Sequence, residues 1–325
     1  MVEDGCSRPS GDNGEVPLTV LAPEEWEPRA LAHAERARAY TEPYLRRRAQ
    51  QRKHPVEDFL FTYYTQKPAQ LLRWHPGAHT VLTGPAAVER AGWKFYRPLT
   101  GRERQQLNLN DDDGAVTVDL AAFLAARREA VDFARIILSG TAARPAQLGC
   151  FGLHEWAMAY KSEDNAIRHE YLNLRLGSSG TDEVVEANRI RCTHFDAFRF
   201  YAPQAVPLNE LQPTRTTQRT LEQPGCLHAN MDLYKWAYKL VPALPSELVM
   251  DCFELAWRIR IMDMKASPYD LAEWGYPPIA IETPAGRADY VRAQREFSAE
   301  SQLKRAQLSK YINQLQPGNQ PGVGR

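Results

Sequence analysis

Four of the eight histidines stand beside carboxylates at spacings that could let the side chains work together: His54 with Glu57 and Asp58, His154 with Glu155, His194 with Asp196, and His228 with Asp232. Residues four apart share a helix face and residues two apart share a strand face, so three of these pairs converge locally. His154 and Glu155, being adjacent, would diverge by about 100° on a helix. A carboxylate can fix a histidine tautomer for acid–base catalysis, or both side chains can ligate a metal that prefers nitrogen and oxygen. The same pairs also occur as ordinary hydrogen-bonded side chains, and no HExxH string or cysteine cluster singles out one metal geometry.

The elements that must position these residues are readable in part. In CLHANMDLYKWAYK (226–239), His228, Asp232, Lys235 and Lys239 fall in one sector of roughly 60°. Leu, Met, Tyr, Trp and Ala fill an arc of roughly 220°, far wider than the stripe of a surface helix. The spacing therefore predicts a central helix, with His228 and Asp232 buried, hydrogen-bonded and facing a cavity shared with His194 or Asp196. His194 and Asp196 are expected on a strand among Cys192, Phe195, Phe198 and Phe200. That strand closes a βαβ-like passage made of YLNLRL (171–176), GSSGTDEVVEANR (177–189) and RCTHFDAFRFY (191–201). The glycine-containing turn at 177–185 could hold an anion, although capping by Ser179 or Thr181 explains it as well.

Helices are predicted over 23–53 as one long element or a pair broken near Pro43, after Pro55, after Pro68, from Leu120 to Leu138, over 149–160, over 246–264 and over 286–315. Short β segments are expected at 80–83, 93–99 and 115–120. The fold class that results is mainly α with a small β-sheet (α+β): a single helical core over 17–315 with one βαβ-like insertion, between disordered tails at 1–16 and 316–325.

Lys plus Arg and Asp plus Glu both number 40 in this 325-residue chain, so no global basic field draws it to nucleic acid or an anionic membrane. A local patch is available in YLRRRAQQRKH (44–54), where Arg46, Arg47 and Arg48 are placed to meet phosphates, followed by the aromatic FLFTYY (59–64). The five cysteines are odd in number and scattered, which fits a reducing cytoplasm rather than a disulfide framework. No apolar run reaches bilayer length, so no membrane is expected as a partner. The sequence sets no oligomeric state.

HPVEDFLFTYYTQKPAQLLRWHPG (54–77), GCFGLHEWAMAY (149–160), HFDAFRFYAP (194–203), LQPTR (211–215) and QPGCLHANMDLYKWAYKL (223–240) resemble a bacterial family of helical proteins commonly labelled 3-methyladenine DNA glycosylase. The resemblance implies a DNA-repair hydrolase that releases alkylated purines from damaged DNA without a cofactor. No catalytic Asp is carried over from the helix-hairpin-helix glycosylases, whose Gly-Val-Gly hairpin precedes it. The implied site has Asp232 as the catalytic carboxylate, His228 beside it, and Asp196 and His194 as supporting groups. Tyr234, Trp236 and Trp156 would bracket the flipped base, and Arg46, Arg47 and Arg48 would hold the strand. The alternative is a metal-dependent hydrolase or oxygenase acting on a small substrate, with iron, manganese or zinc held by His154, Glu155, His194, Asp196, His228 and Asp232. A non-enzymatic binding or scaffold protein is the third reading.

Overall fold

The computed structural model of the chain describes residues 16–165 and 171–315. The tails assigned to 1–16 and 316–325 lie outside these residues, apart from Val16. The fold is mainly α with one small mixed sheet. Its strands are β1 (Thr19–Leu21), β2 (Thr80–Leu82), β3 (Tyr96–Pro98) and β4 (Val116–Val118), in the order β1-β2-β4-β3. β1 and β2 run parallel and the other two pairs antiparallel. Each β segment expected from the sequence supplies one strand, and β1 is an addition.

Helix α1 (Pro23–Ala49) is one continuous element, with Pro28 and Pro43 inside it. Proline opens it where the missing N–H costs nothing, while Glu24 and Glu25 at the start and Arg46, Arg47 and Arg48 at the end complement its dipole. α2 (Leu120–Ala142) begins where Asp119 accepts a hydrogen bond from the Ala122 amide at 2.9 Å. α3 (Leu153–Met158) starts after Gly152, whose φ of 70° favours a residue with no Cβ. α4 (Gly177–Glu186) and the single turn α5 (Phe195–Phe198) follow.

The centre of the molecule is α6 (Leu227–Lys239), packed against α7 (Ser246–Lys265) and α8 (Pro284–Leu315). Every residue of α6 is buried except Lys235 and Lys239, as its wide apolar arc requires. Gly225, just ahead of α6, allows the close approach of the preceding loop: a Cβ there would sit 2.3 Å from the Gln147 carbonyl oxygen. Among the described residues, no helix is long and apolar enough to cross a membrane.

The βαβ-like insertion is not formed. Only its middle is as expected, the helix α4; residues 171–176 form turns with one isolated bridge from Leu174 to Tyr269. His194 and Asp196 are not on a strand. His194 is the N-cap of α5, and Asp196 lies within that turn. The strand-like stretch before it is completed by a side chain: Asn209 accepts the Cys192 N–H at 2.7 Å and donates to the Cys192 carbonyl at 3.1 Å, as a neighbouring strand would. The turn at 177–185 is not capped as expected either. Thr181 donates to the Gly177 carbonyl and Ser179 to Glu183, so neither side chain caps the helix start.

Candidate functional site

Three histidines meet where α3, the N-cap of α5 and α6 converge. The His228 ring stands between the other two, 4.4 Å from His154 and 5.3 Å from His194 between centroids. All three are buried, with His194 fully so. The partners differ from those that sequence neighbours would supply. His154 faces Asp263 of α7, and His194 faces Asp232 of α6 and Glu222 of the loop before it. Two buried groups of possible metal ligands result, His154–His228–Asp263 and His194–Glu222–Asp232, each with its ligand atoms within 4.8 Å of one another.

These two groups are chemically unlike. In the deeper one, the Ala197 amide donates to His194 Nδ1 at 3.3 Å, so that nitrogen is an acceptor. A neutral imidazole then carries its proton on Nε2, the atom 3.2 Å from Asp232 Oδ2 and 3.4 Å from Glu222 Oε1. That atom therefore has no lone pair to give a metal. The group also holds its own cation. The Lys235 ammonium contacts Asp232, whose other oxygen accepts from Tyr64 Oη at 3.0 Å. Burial alone would raise the Asp232 carboxyl, but Lys235 and His194 outweigh it and hold Asp232 far below the usual range. Burial would likewise lower Lys235, and Asp232 outweighs it to raise the ammonium. Glu222 is pushed up by burial and by Asp232, against the pull of His194.

The other group is open. His154 Nε2 lies 3.0 Å from Asp263 Oδ1, yet its hydrogen-bond direction runs to Oδ2 at 3.2 Å. Oδ1 is fully buried and, among the described residues, accepts no hydrogen bond. His154 Nδ1 points at Cys150 Sγ, 3.7 Å away. Both ring contacts fit an imidazolium that donates from Nε2 to Asp263 and from Nδ1 to Cys150, and a metal ion at Nε2 would displace that proton. Arg260 serves two carboxylates here, at 2.8 Å from Glu155 and 3.6 Å from Asp263. Burial would lower His154, but Asp263 and Cys150 outweigh it and its pKa is raised well above the usual value. Asp263 thus favours positive charge at His154 Nε2, which a proton or a metal ion can supply.

A cavity of about 520 Å³ opens onto this group. His154 and His228 lie in its wall with Cys150, Cys192, Cys226 and Tyr290, and Arg189, Arg191 and Arg287 are its charged residues. None of the carboxylates of either group lines it.

Several expected site residues stand elsewhere. Glu155 is the partner of Arg260 rather than a ligand beside His154. Asp196 pairs with Arg199 at 3.1 Å and Lys235 at 3.5 Å, not with His194. Trp156 and Tyr234 are core side chains, the former donating to the Ala266 carbonyl, and Trp236 lies beneath Lys235 and Lys239; none of the three lines the cavity. His54 accepts the Glu57 amide at 3.0 Å and orders its own turn. Arg47 is held by Glu57 at 2.8 Å and Asp58 at 2.7 Å, while Arg46 and Arg48 are exposed on α1. Asp263, Arg260 and Glu222 were missed. Asp263 had a signal, since with Arg260 it forms an i,i+3 charge pair inside an otherwise apolar helix. Glu222 lies in a loop and had none.

Comparison with known families, curated proteins and solved structures finds no match for this chain.

Proposed function

We propose that the chain is a metal-dependent hydrolase acting on a small substrate, with one divalent ion held by His154, His228 and Asp263 at the floor of the 520 Å³ cavity. The observation that carries this reading is the Asp263 Oδ1 atom, fully buried, without a hydrogen-bond donor among the described residues, and 3.0 Å from His154 Nε2. Two ligand atoms about 2.1 Å from a common ion and at right angles to it are about 3.0 Å apart. Two imidazoles and a carboxylate suit iron, manganese or zinc, and the cavity side leaves coordination positions for water and substrate. Such an ion, when bound, polarises a carbonyl or phosphoryl oxygen and acidifies water.

The residues around it have definable parts. Cys150 fixes the His154 ring through Nδ1, and Arg260, anchored by Glu155, orients Asp263. Arg287, with Arg189 and Arg191 sharing the one carboxylate of Glu210, leaves net positive charge that favours a substrate with an anionic group. Three thiols in the same wall favour hydrolysis over oxygen chemistry, which would oxidise them. The glycosylase reading asks Asp232 to face a flipped nucleotide. Its oxygens are instead engaged by Tyr64, His194 and Lys235 behind the cavity wall, so it supports that reading less than the histidine floor supports this one.

Elemental analysis of protein purified without chelator is the test. About one divalent ion per chain is expected, lost in His228→Ala and Asp263→Asn and kept in His194→Gln. Metal-free protein that takes up no zinc, iron or manganese on titration would overturn the assignment.

A further inference from the structure

A second cleft, of about 310 Å³, lies on the other side of α6, between its C-terminal end and the segment that leads into β3. Among the described residues, four basic side chains line it, Arg73, Lys94, Arg127 and Lys239, and no acidic one does. They come from four separate stretches of the chain, so this is not the solvated face of one helix. Among the described residues none of the four takes part in an ion pair, although the chain as a whole carries as many acids as bases. Cations gathered without counter-charges repel one another, and an anionic ligand relieves that repulsion.

Aromatic surface is interleaved with the charge. Trp93, Phe95 and Tyr238 share the lining, with the Arg73 guanidinium 5.4 Å from the Trp93 ring and the Lys94 ammonium 4.9 Å from that of Phe95. Phe95 is held at a φ of 65°, a conformation disfavoured for a residue with a Cβ. Gln66 also lines the cleft. It is 8% exposed, and among the described residues its amide makes no hydrogen bond. The donors and acceptor of this amide are open to the cleft, where a bound polar group can take them.

We propose that this cleft binds a nucleotide, with the phosphate among Arg73, Lys94, Arg127 and Lys239, the base against Trp93 and Phe95, and Gln66 hydrogen-bonded to a polar edge of the ligand. A nucleoside phosphate can arrive free or as the end of a nucleic-acid strand, and the chemistry of recognition is shared.

Titration of the full chain with AMP, with ATP and with a short 5′-phosphorylated oligonucleotide, followed by calorimetry and tryptophan fluorescence, tests the site. At least one probe is expected to bind below about 1 mM. Arg127→Gln combined with Lys239→Gln is expected to weaken binding about tenfold or more, and Trp93→Phe to remove the fluorescence change. Both changes fall on accessible side chains, and unchanged circular dichroism confirms that the variants fold. Binding of AMP without the oligonucleotide identifies a free nucleotide as the source, and the reverse identifies a strand end. No binding of any probe at that concentration, or binding that survives the double variant undiminished, overturns the proposal.

Discussion

At the level of single residues, the most consequential fact is that a lysine ammonium already engages the Asp232 carboxylate that a second metal would need. Lys235 reaches Asp232 from one turn further along α6, and both are shielded from water: the side chains are 13% and 1% exposed. Removing one partner of a buried pair leaves the other uncompensated, which typically costs about 3–5 kcal/mol. Lys235→Met is therefore expected to lower the unfolding free energy measured in urea by that order. Adding Asp232→Asn should recover a good part of the loss, because the stranded charge is then gone. Equal destabilisation by the double variant and the sum of the singles would show that the two side chains do not act as a pair. The residues of this site were legible as a set of types, and His154, His194 and His228 were all singled out before any fold was known. The meeting of His194 with buried Asp232 was legible too, whereas Asp263 and Glu222 were not, because they arrive through tertiary packing.

Among the elements, the long periodic helices were the readable part, and α6 is as buried as its apolar arc implied. The insertion failed for a local reason. Alternating apolar residues at 191–201 look like a strand, but hydrogen bonds from Asn209 and the His194 cap satisfy the backbone without a partner strand. The small sheet carries a testable dependence on pH. His75, in the loop before β2, accepts or donates at Nδ1 to Tyr96 of β3 at 2.9 Å, and its amide donates to Ser246 at the start of α7 at 2.8 Å. Burial, reinforced by Arg90, lowers its pKa to about 3. The unfolded chain then binds a proton near pH 6.5 that the folded chain refuses until about pH 3. Stability is complete above the unfolded value and is lost as pH falls through this window, by up to about 1.4 kcal/mol per pH unit. Urea unfolding at steps between pH 7 and pH 4 should show this slope, and His75→Gln should flatten it. An unchanged slope in the variant would assign the acid sensitivity elsewhere.

For the molecule as a whole, the proposed ligands come from α3, α6 and α7, far apart in sequence yet packed into one core. No unfolded chain presents such a set, so affinity for the ion adds directly to the stability of the entire fold. At a free-ion concentration one hundred times Kd the gain is about 2.7 kcal/mol. Chelation should therefore lower the midpoint of one cooperative transition rather than release a separate early phase, since α6 cannot loosen without exposing the faces of α7 and α8 packed on it. Adding back the ion should restore the midpoint in proportion to the logarithm of its concentration. The His228→Ala variant should unfold at one midpoint whether or not ion is present. A chelator-treated protein with an unshifted midpoint, or a variant that still responds to the ion, would place any bound metal outside this core.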